Sequence, residues 1–239
     1  MGFLATTKAE LKGKDADIII ITGDAYVDHP SFGAAVIGRV LENAGYNVGI
    51  LSMPDWRDPE SITALGRPRL FFGVTSGNVD SMLSLFTAFK KKRSDDPYVP
   101  GGLSGKKPEH AVISYCNLIK AKFKDVPVVI GGIEASMRRL VHYDFWDNRL
   151  RRSIIEDSRA DILAYGMAEI AVVEIAGRIA SNKSLDGIPG TLIIERKPPE
   201  NAVLLPSEED TMKNTDAFLE AFRLSTSAPP LVARCHSQQ

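Results

Sequence analysis

The chain has 239 residues, 44% hydrophobic and 25% charged, with a formal net charge of −1. That length supports one large domain or a domain with an arm, and the near-neutral charge gives no electrostatic case for nucleic acid or an anionic membrane as a partner. Two cysteines far apart, Cys116 and Cys235, exclude a disulfide framework and a local thiolate metal site; with no apolar run of membrane-spanning length and no secretion signal, a reducing cytoplasm is the expected compartment.

Strands and helices alternate along the chain. The run Asp17-Ile18-Ile19-Ile20-Ile21-Thr22 is apolar and β-branched at its centre, as expected of a strand covered on both faces. A polar loop leads to a helix over about 31–44, with Phe32, Val36, Val40 and Leu41 as its apolar stripe and Gly45 as its stop. A second strand follows over 47–51 and a third over 70–75. The next helix carries Met82, Leu85, Phe86 and Phe89 at helical spacing. The pattern then breaks. Lys90-Lys91-Lys92-Arg93 reads as a solvated helix end, and the stretch from Ser94 to Gly102, with Pro97, Pro100 and a Gly-Gly pair, reads as an irregular excursion.

A helix over about 108–123 resumes the alternation, with Ala111, Val112, Tyr115, Leu118 and Ile119 on one face. Cys116, on this helix, reads as a buried filler. The fourth strand spans 126–130 and the fifth 161–165. Between them His142-Tyr143-Asp144-Phe145-Trp146-Asp147 lies among arginines, either a ligand-holding or docking segment or a solvated helix face with Phe145 and Trp146 in the core. A helix over 167–180 follows the fifth strand, and 191–195 can form a last strand. Prolines and acids after Arg196 mark residues 197–239 as an arm with one short helix near 215–223, leaving 1–196 as the α/β domain.

This alternation implies a parallel sheet between two helical layers, with right-handed crossovers. Five strands fit a flavodoxin-like three-layer α/β sandwich of order 2-1-3-4-5. Such sheets bind ligands beyond the carboxyl ends of their strands. There the chain places Gly23-Asp24 through His29, then Ser76-Gly77-Asn78, then Gly131-Gly132-Ile133-Glu134-Ala135-Ser136, and finally Gly166-Met167. Asp24, Asp28, His29, Ser76, Asn78, Gly131, Gly132, Glu134 and Ser136 are the candidate lining of a cofactor site there. Strand-to-helix turns are rich in Gly, Ser and Asp for purely structural reasons as well, and that reading stands beside the first. The G-x-G-x-x-G, P-loop and G-x-S-x-G signatures are all missing, so dinucleotide, P-loop and α/β-hydrolase chemistry are disfavoured.

Several long strings resemble one family. They include residues 21–33 (ITGDAYVDHPSFG), 67–80 (GRPRLFFGVTSGNVD, with Gly66), Val129 to Ser136, His142 to Trp146, and Arg151-Arg152-Ser153-Ile154 up to Met167. Each is similar to the corresponding stretch of YgiQ-type radical S-adenosylmethionine proteins. The resemblance implies an N-terminal α/β domain preceding a radical SAM barrel in cis, whose Cys-x3-Cys-x2-Cys motif holds a [4Fe-4S] cluster that binds S-adenosylmethionine. No such motif stands in this sequence, so this chain alone is expected not to perform radical chemistry, as a fragment or interrupted form of the family. The loop from Gly131 to Ser136 also resembles that of cobalamin-binding domains. The cobalt-ligating Asp-x-His-x-x-Gly spacing is not reproduced, because Asp28 and His29 are adjacent. Three readings follow: an accessory domain, a free-standing cobalamin-like binding module, or an inactive remnant.

Overall fold

The computed structural model of the protein describes residues 2–195, 202–227 and 232–234. Its centre is a sheet built from β1 (Ile18–Thr22), β2 (Val48–Ser52), β3 (Phe71–Thr75), β4 (Val128–Ile130), a strand at Ile162–Ala164 and a two-residue strand at Thr191–Leu192. The helices in chain order are α1 (Gly33–Asn43), α2 (Ser81–Leu85), α3 (Ala111–Lys122), α4 (Gly132–Met137), α5 (Ile154–Ser158) and α6 (Glu169–Ala180). A hairpin, β5 (His142–Asp144) and β6 (Arg149–Arg151), precedes α5, so the strand at 162–164 is β7 and that at 191–192 is β8. The sheet order is β2-β1-β3-β4-β7-β8. The first five strands are parallel, in the expected 2-1-3-4-5 order, and β8 adds an antiparallel edge.

The run of isoleucines in β1 shows why the sheet needs two helical layers. Ile19 and Ile21 face one core with Phe72, Val74, Val112, Tyr115 and Ile119, under α3 and α5. Ile18 and Ile20 face the other with Leu41, Phe71, Val172 and Ile175, under α1 and α6. All four are at least 96% buried, and each contributes roughly 1.5–3 kcal/mol of hydrophobic stabilisation. Cys116 fills part of the first core, and burial pushes its thiol well above the ordinary range.

Two expectations about the middle of the chain are corrected. The helix after β3 ends at Leu85, because Phe86 turns to extended backbone and bridges Lys92; Phe89 is exposed rather than part of a buried stripe, and Lys90, at φ +58°, sits in a turn. The segment from His142 onward is a β-hairpin rather than a helix face, with Asn148 in the left-handed region at its turn. Trp146 stacks on Phe86 at 5.5 Å and Lys90 Nζ donates to the Trp146 carbonyl at 2.8 Å, which holds the hairpin against the end of α2. Beyond the 196–201 gap in the description come β9 (Val203–Leu205), α7 (Glu208–Lys213), α8 (Thr215–Ser227) and β10 (Val232–Arg234), which pairs in parallel with β9. Cys235 lies outside the described residues. Among the described residues no helix is long and apolar enough to cross a membrane.

Candidate functional site

The carboxyl ends of β1, β3, β4 and β7 bring the sequence-predicted loops to one edge. At the β1 and β3 ends the loops interlock. Gly23 N–H donates to the Thr75 carbonyl at 3.2 Å, and Asn78 N–H donates to Asp24 Oδ2 at 2.6 Å. Gly77, at φ +110°, lies so close to the Asp24 carboxylate that a Cβ there would overlap it, so only glycine fits. Ser76 is buried and donates to the Val79 carbonyl.

Beneath this turn Lys107 is fully buried. Its Nζ lies 2.5 Å from Asp24 Oδ1 and 3.3 Å from Asp96 Oδ2, and it donates to Ser84 Oγ at 3.2 Å, while Ser84 donates to Asp96 at 2.5 Å. One ammonium therefore joins β1's exit loop, α2 and the irregular excursion. Burial pushes the Asp24 carboxyl up and outweighs the opposing pull of Lys107.

The β4 exit makes a second buried hub. Gly132, at φ +83°, leaves no room for a Cβ, which would overlap Thr75 Oγ1, and Gly131 is extended. Glu134 has no exposed surface. Its Oε2 accepts from Ser81 N–H at 2.9 Å and its Oε1 from Val112 N–H at 3.2 Å, so one carboxylate caps the first turns of both α2 and α3. Arg138 lies 4.0 Å from Glu134 and pairs closely with Asp80, the N-cap of α2. Ser136 Oγ accepts from Gly166 N–H at 3.2 Å, tying α4 to the β7 exit.

Asp28 and His29 lie farther out. Asp28 pairs with Arg39 of α1, whose hydrogen bonds hold the carboxyl below its ordinary range. His29 is exposed, and its Nδ1 accepts from Ser31 N–H at 3.1 Å. Of the predicted lining, Asp24 and Asn78 bond each other directly, while Ser76, Gly131, Gly132, Glu134 and Ser136 lie along the same edge with other partners, and Asp28 and His29 belong to a separate loop contact. Sequence reasoning missed Lys107, Asp96, Asp80 and Arg138. The one signal for the first two is that Asp96 and Lys107 each stand directly before a proline in an apolar-poor excursion.

Above the buried charges the edge is apolar. Ile133 and Met137 project from α4, Met167 from the β7 exit and Ile170 from the first turn of α6; Met137 is 64% exposed, Met167 88% and Ile170 85%. The Ser136–Gly166 bond ties α4 to the residue directly before Met167. Between the β1 and β3 loops lies a cleft of about 10 Å³, room for about one water. Away from this edge His110, Asp144 and Asp147 bring ligand atoms within 4.8 Å of one another, but Arg151 already binds both carboxylates.

A parallel three-layer α/β domain with a glycine-rich carboxyl edge is the class these features define. The chain belongs to the radical SAM N-terminal family, whose model matches residues 3–236. Relatives include UPF0313 proteins from Thermotoga neapolitana and Thermotoga maritima, each 51% identical over 230 residues, and one from Clostridium botulinum, 50% identical over 232. Each alignment covers 94% of this chain but 41%, 41% and 36% of the relative, so the chain spans about two fifths of the proteins it matches. Among solved structures, the radical S-adenosylmethionine methyltransferase TsrM from Kitasatospora setae aligns with a TM-score of 0.48 at 21% identity, over 74% of this chain and 28% of TsrM. TsrM has been solved with tryptophan and a SAM analogue, and with cobalamin and a [4Fe-4S] cluster.

Proposed function

We propose that this chain is the accessory α/β domain of a radical SAM protein, residues 1–196, with residues 197–239 leading toward the catalytic barrel. Its carboxyl edge would pack against that barrel and enclose part of the substrate or cofactor space. The observation that carries this reading is the exposed apolar group Ile133, Met137, Met167 and Ile170, beside loops that otherwise hold paired charges. The relatives' extra length supplies the body to cover it.

The chain's own residues do not fit a [4Fe-4S] cluster. Three clustered thiolates are needed, and of two cysteines one is sealed in the core of α3. In the longer proteins the cluster, held elsewhere, would supply the electron that cleaves S-adenosylmethionine. This domain would orient and exclude water. A corrin, if held, would lie on the apolar surface between domain and barrel; His29 stands apart from that surface, exposed, with its Nδ1 accepting from Ser31 N–H.

The test is to purify the chain and mix it with the remaining, barrel-bearing portion of the Thermotoga maritima relative, following association by light scattering. A 1:1 complex weakened by Met137→Asp with Ile170→Asp is expected. No association, or association that the double variant leaves unchanged, overturns the docking assignment. Anaerobic reconstitution of the chain alone with iron and sulfide should give no stoichiometric cluster; a loaded cluster would refute the accessory role.

A further inference from the structure

A second cavity plays no part in the reading above. It has a volume of about 630 Å³ and lies between the β2 exit loop, the end of α2 and the excursion that follows. That is within the range of small-molecule sites, roughly 300–1,000 Å³. Its aromatic wall is Trp56 and Phe86, and its cations are Arg57, Lys92 and Arg93. Lys107 borders it too, but its ammonium is committed to Asp24 and Asp96. Glu109 is the one acid in the lining.

Three details distinguish this cavity from a chance surface depression. Arg93 is anchored at one end: its Nε donates to the carbonyls of Leu83 at 2.9 Å and Phe86 at 3.2 Å. No bond or ion pair among the described residues reaches its two terminal nitrogens, so a planar donor pair is held ready for an anion. Lys92 likewise has no ion pair among the described residues. Finally, the Trp56 indole N–H is buried without an acceptor among the described residues, although a buried donor ordinarily finds one; Arg57 stacks over the same ring at 4.2 Å.

We propose that this cavity binds a small organic phosphate carrying a planar ring, a nucleoside phosphate in chemical class. Its phosphate meets Arg93 and Lys92, and its ring lies against Trp56 and Phe86. The cations are matched to a phosphate rather than to a neutral ring alone, and the aromatic wall is matched to a ring rather than to inorganic phosphate. This assignment is independent of docking at the apolar edge, because none of its residues lies in the Ile133–Ile170 group.

The chain has two tryptophans, so Trp146→Phe leaves Trp56 as the sole indole reporter. Titration of that variant with adenosine diphosphate should change Trp56 fluorescence saturably. Adenosine and pyrophosphate should each bind at least about tenfold more weakly, a difference of about 1.4 kcal/mol. Lys92→Glu, on an exposed side chain, and Lys92→Glu with Arg93→Gln should each weaken adenosine diphosphate by about tenfold or more, with circular dichroism confirming the fold. If the double variant does not fold, Lys92→Glu alone decides. No fluorescence response into the millimolar range overturns the proposal. So does undiminished binding by the folded variants, or equal binding of adenosine or pyrophosphate.

Discussion

The two tiers of the carboxyl edge invert the usual arrangement of a globular protein. Inside, Asp24, Lys107, Asp96, Asp80, Arg138 and Glu134 are charged groups that are buried or nearly so; outside, Ile133, Met137, Met167 and Ile170 are large apolar groups facing solvent. A buried charge and an exposed apolar patch are each informative because each is costly. The inner tier is stable because every carboxylate in it has a cation or backbone N–H groups as partner. The outer tier has no such cover among the described residues. The difference separates residues that build the edge from residues that present it.

The most severe way to break the inner tier is Lys107→Met. It leaves Asp24 and Asp96 facing each other without their shared cation, and the loss should be about 3–5 kcal/mol by urea denaturation. Adding Asp24→Asn to that variant should restore part of the loss, since Asn keeps an acceptor for Asn78 N–H and removes a charge that burial disfavours. If Lys107→Met proves as stable as the parent, the cation is dispensable and the inner tier is not held as described.

Glu134 sharpens the same point. Glu134→Ala orphans the Ser81 and Val112 N–H groups and should cost about 3 kcal/mol, whereas Glu134→Gln retains one good acceptor and should cost about half that. Equal losses for the two variants would mean that packing volume, rather than the helix caps, is what Glu134 supplies.

These residues also show what the sequence made legible. The five parallel strands are readable because β-branched runs buried on both faces leave a strong local signal, and the alternation with helices fits, without fixing, their order. The edge loops are readable because glycines mark the strand exits. What the sequence does not display is pairing at long range. Lys107 meets Asp24 across 83 positions, through an excursion with no regular period, and Glu134 meets Ser81 across 53. Glu134 reads as site lining from its loop, and only the packing of three helices reveals that both its oxygens are occupied. The β5–β6 hairpin is obscured because strands of three residues are too short for alternation to stand out from helical spacing.

The outer tier should respond oppositely. Met167→Ser with Ile170→Ser removes apolar surface that this chain leaves in water, so unfolding free energy should move by no more than about 0.5 kcal/mol. Association with the barrel-bearing portion of a relative should weaken all the same. A loss of stability comparable to that of the Glu134 variants would show that these side chains pack within the domain, and the two-tier distinction would fail.

The smallest effect separates an inner carboxylate from an exposed one elsewhere on the surface by the sign of its pH dependence. Asp125 is exposed and receives two bonds from Arg67, at 2.8 and 2.7 Å, which lower its carboxyl from 3.8 to about 2. Between those values the unfolded chain binds more protons than the folded one. The contribution of Asp125 is therefore present above the ordinary carboxylate pKa and is lost as pH falls through about 2. Asp24 is shifted upward, so in its window the folded chain binds more protons, and stability falls as pH rises through the raised value. Urea midpoints followed across acidic pH should show Asp125→Asn flattening the acid-side rise in stability, slightly because the pair is solvated. Asp24→Asn should remove a decline at higher pH. If the two variants shift the profile in the same direction, Asp24 is held charged by Lys107 more strongly than burial opposes it, and the inner tier is an ion pair first and a desolvated acid second.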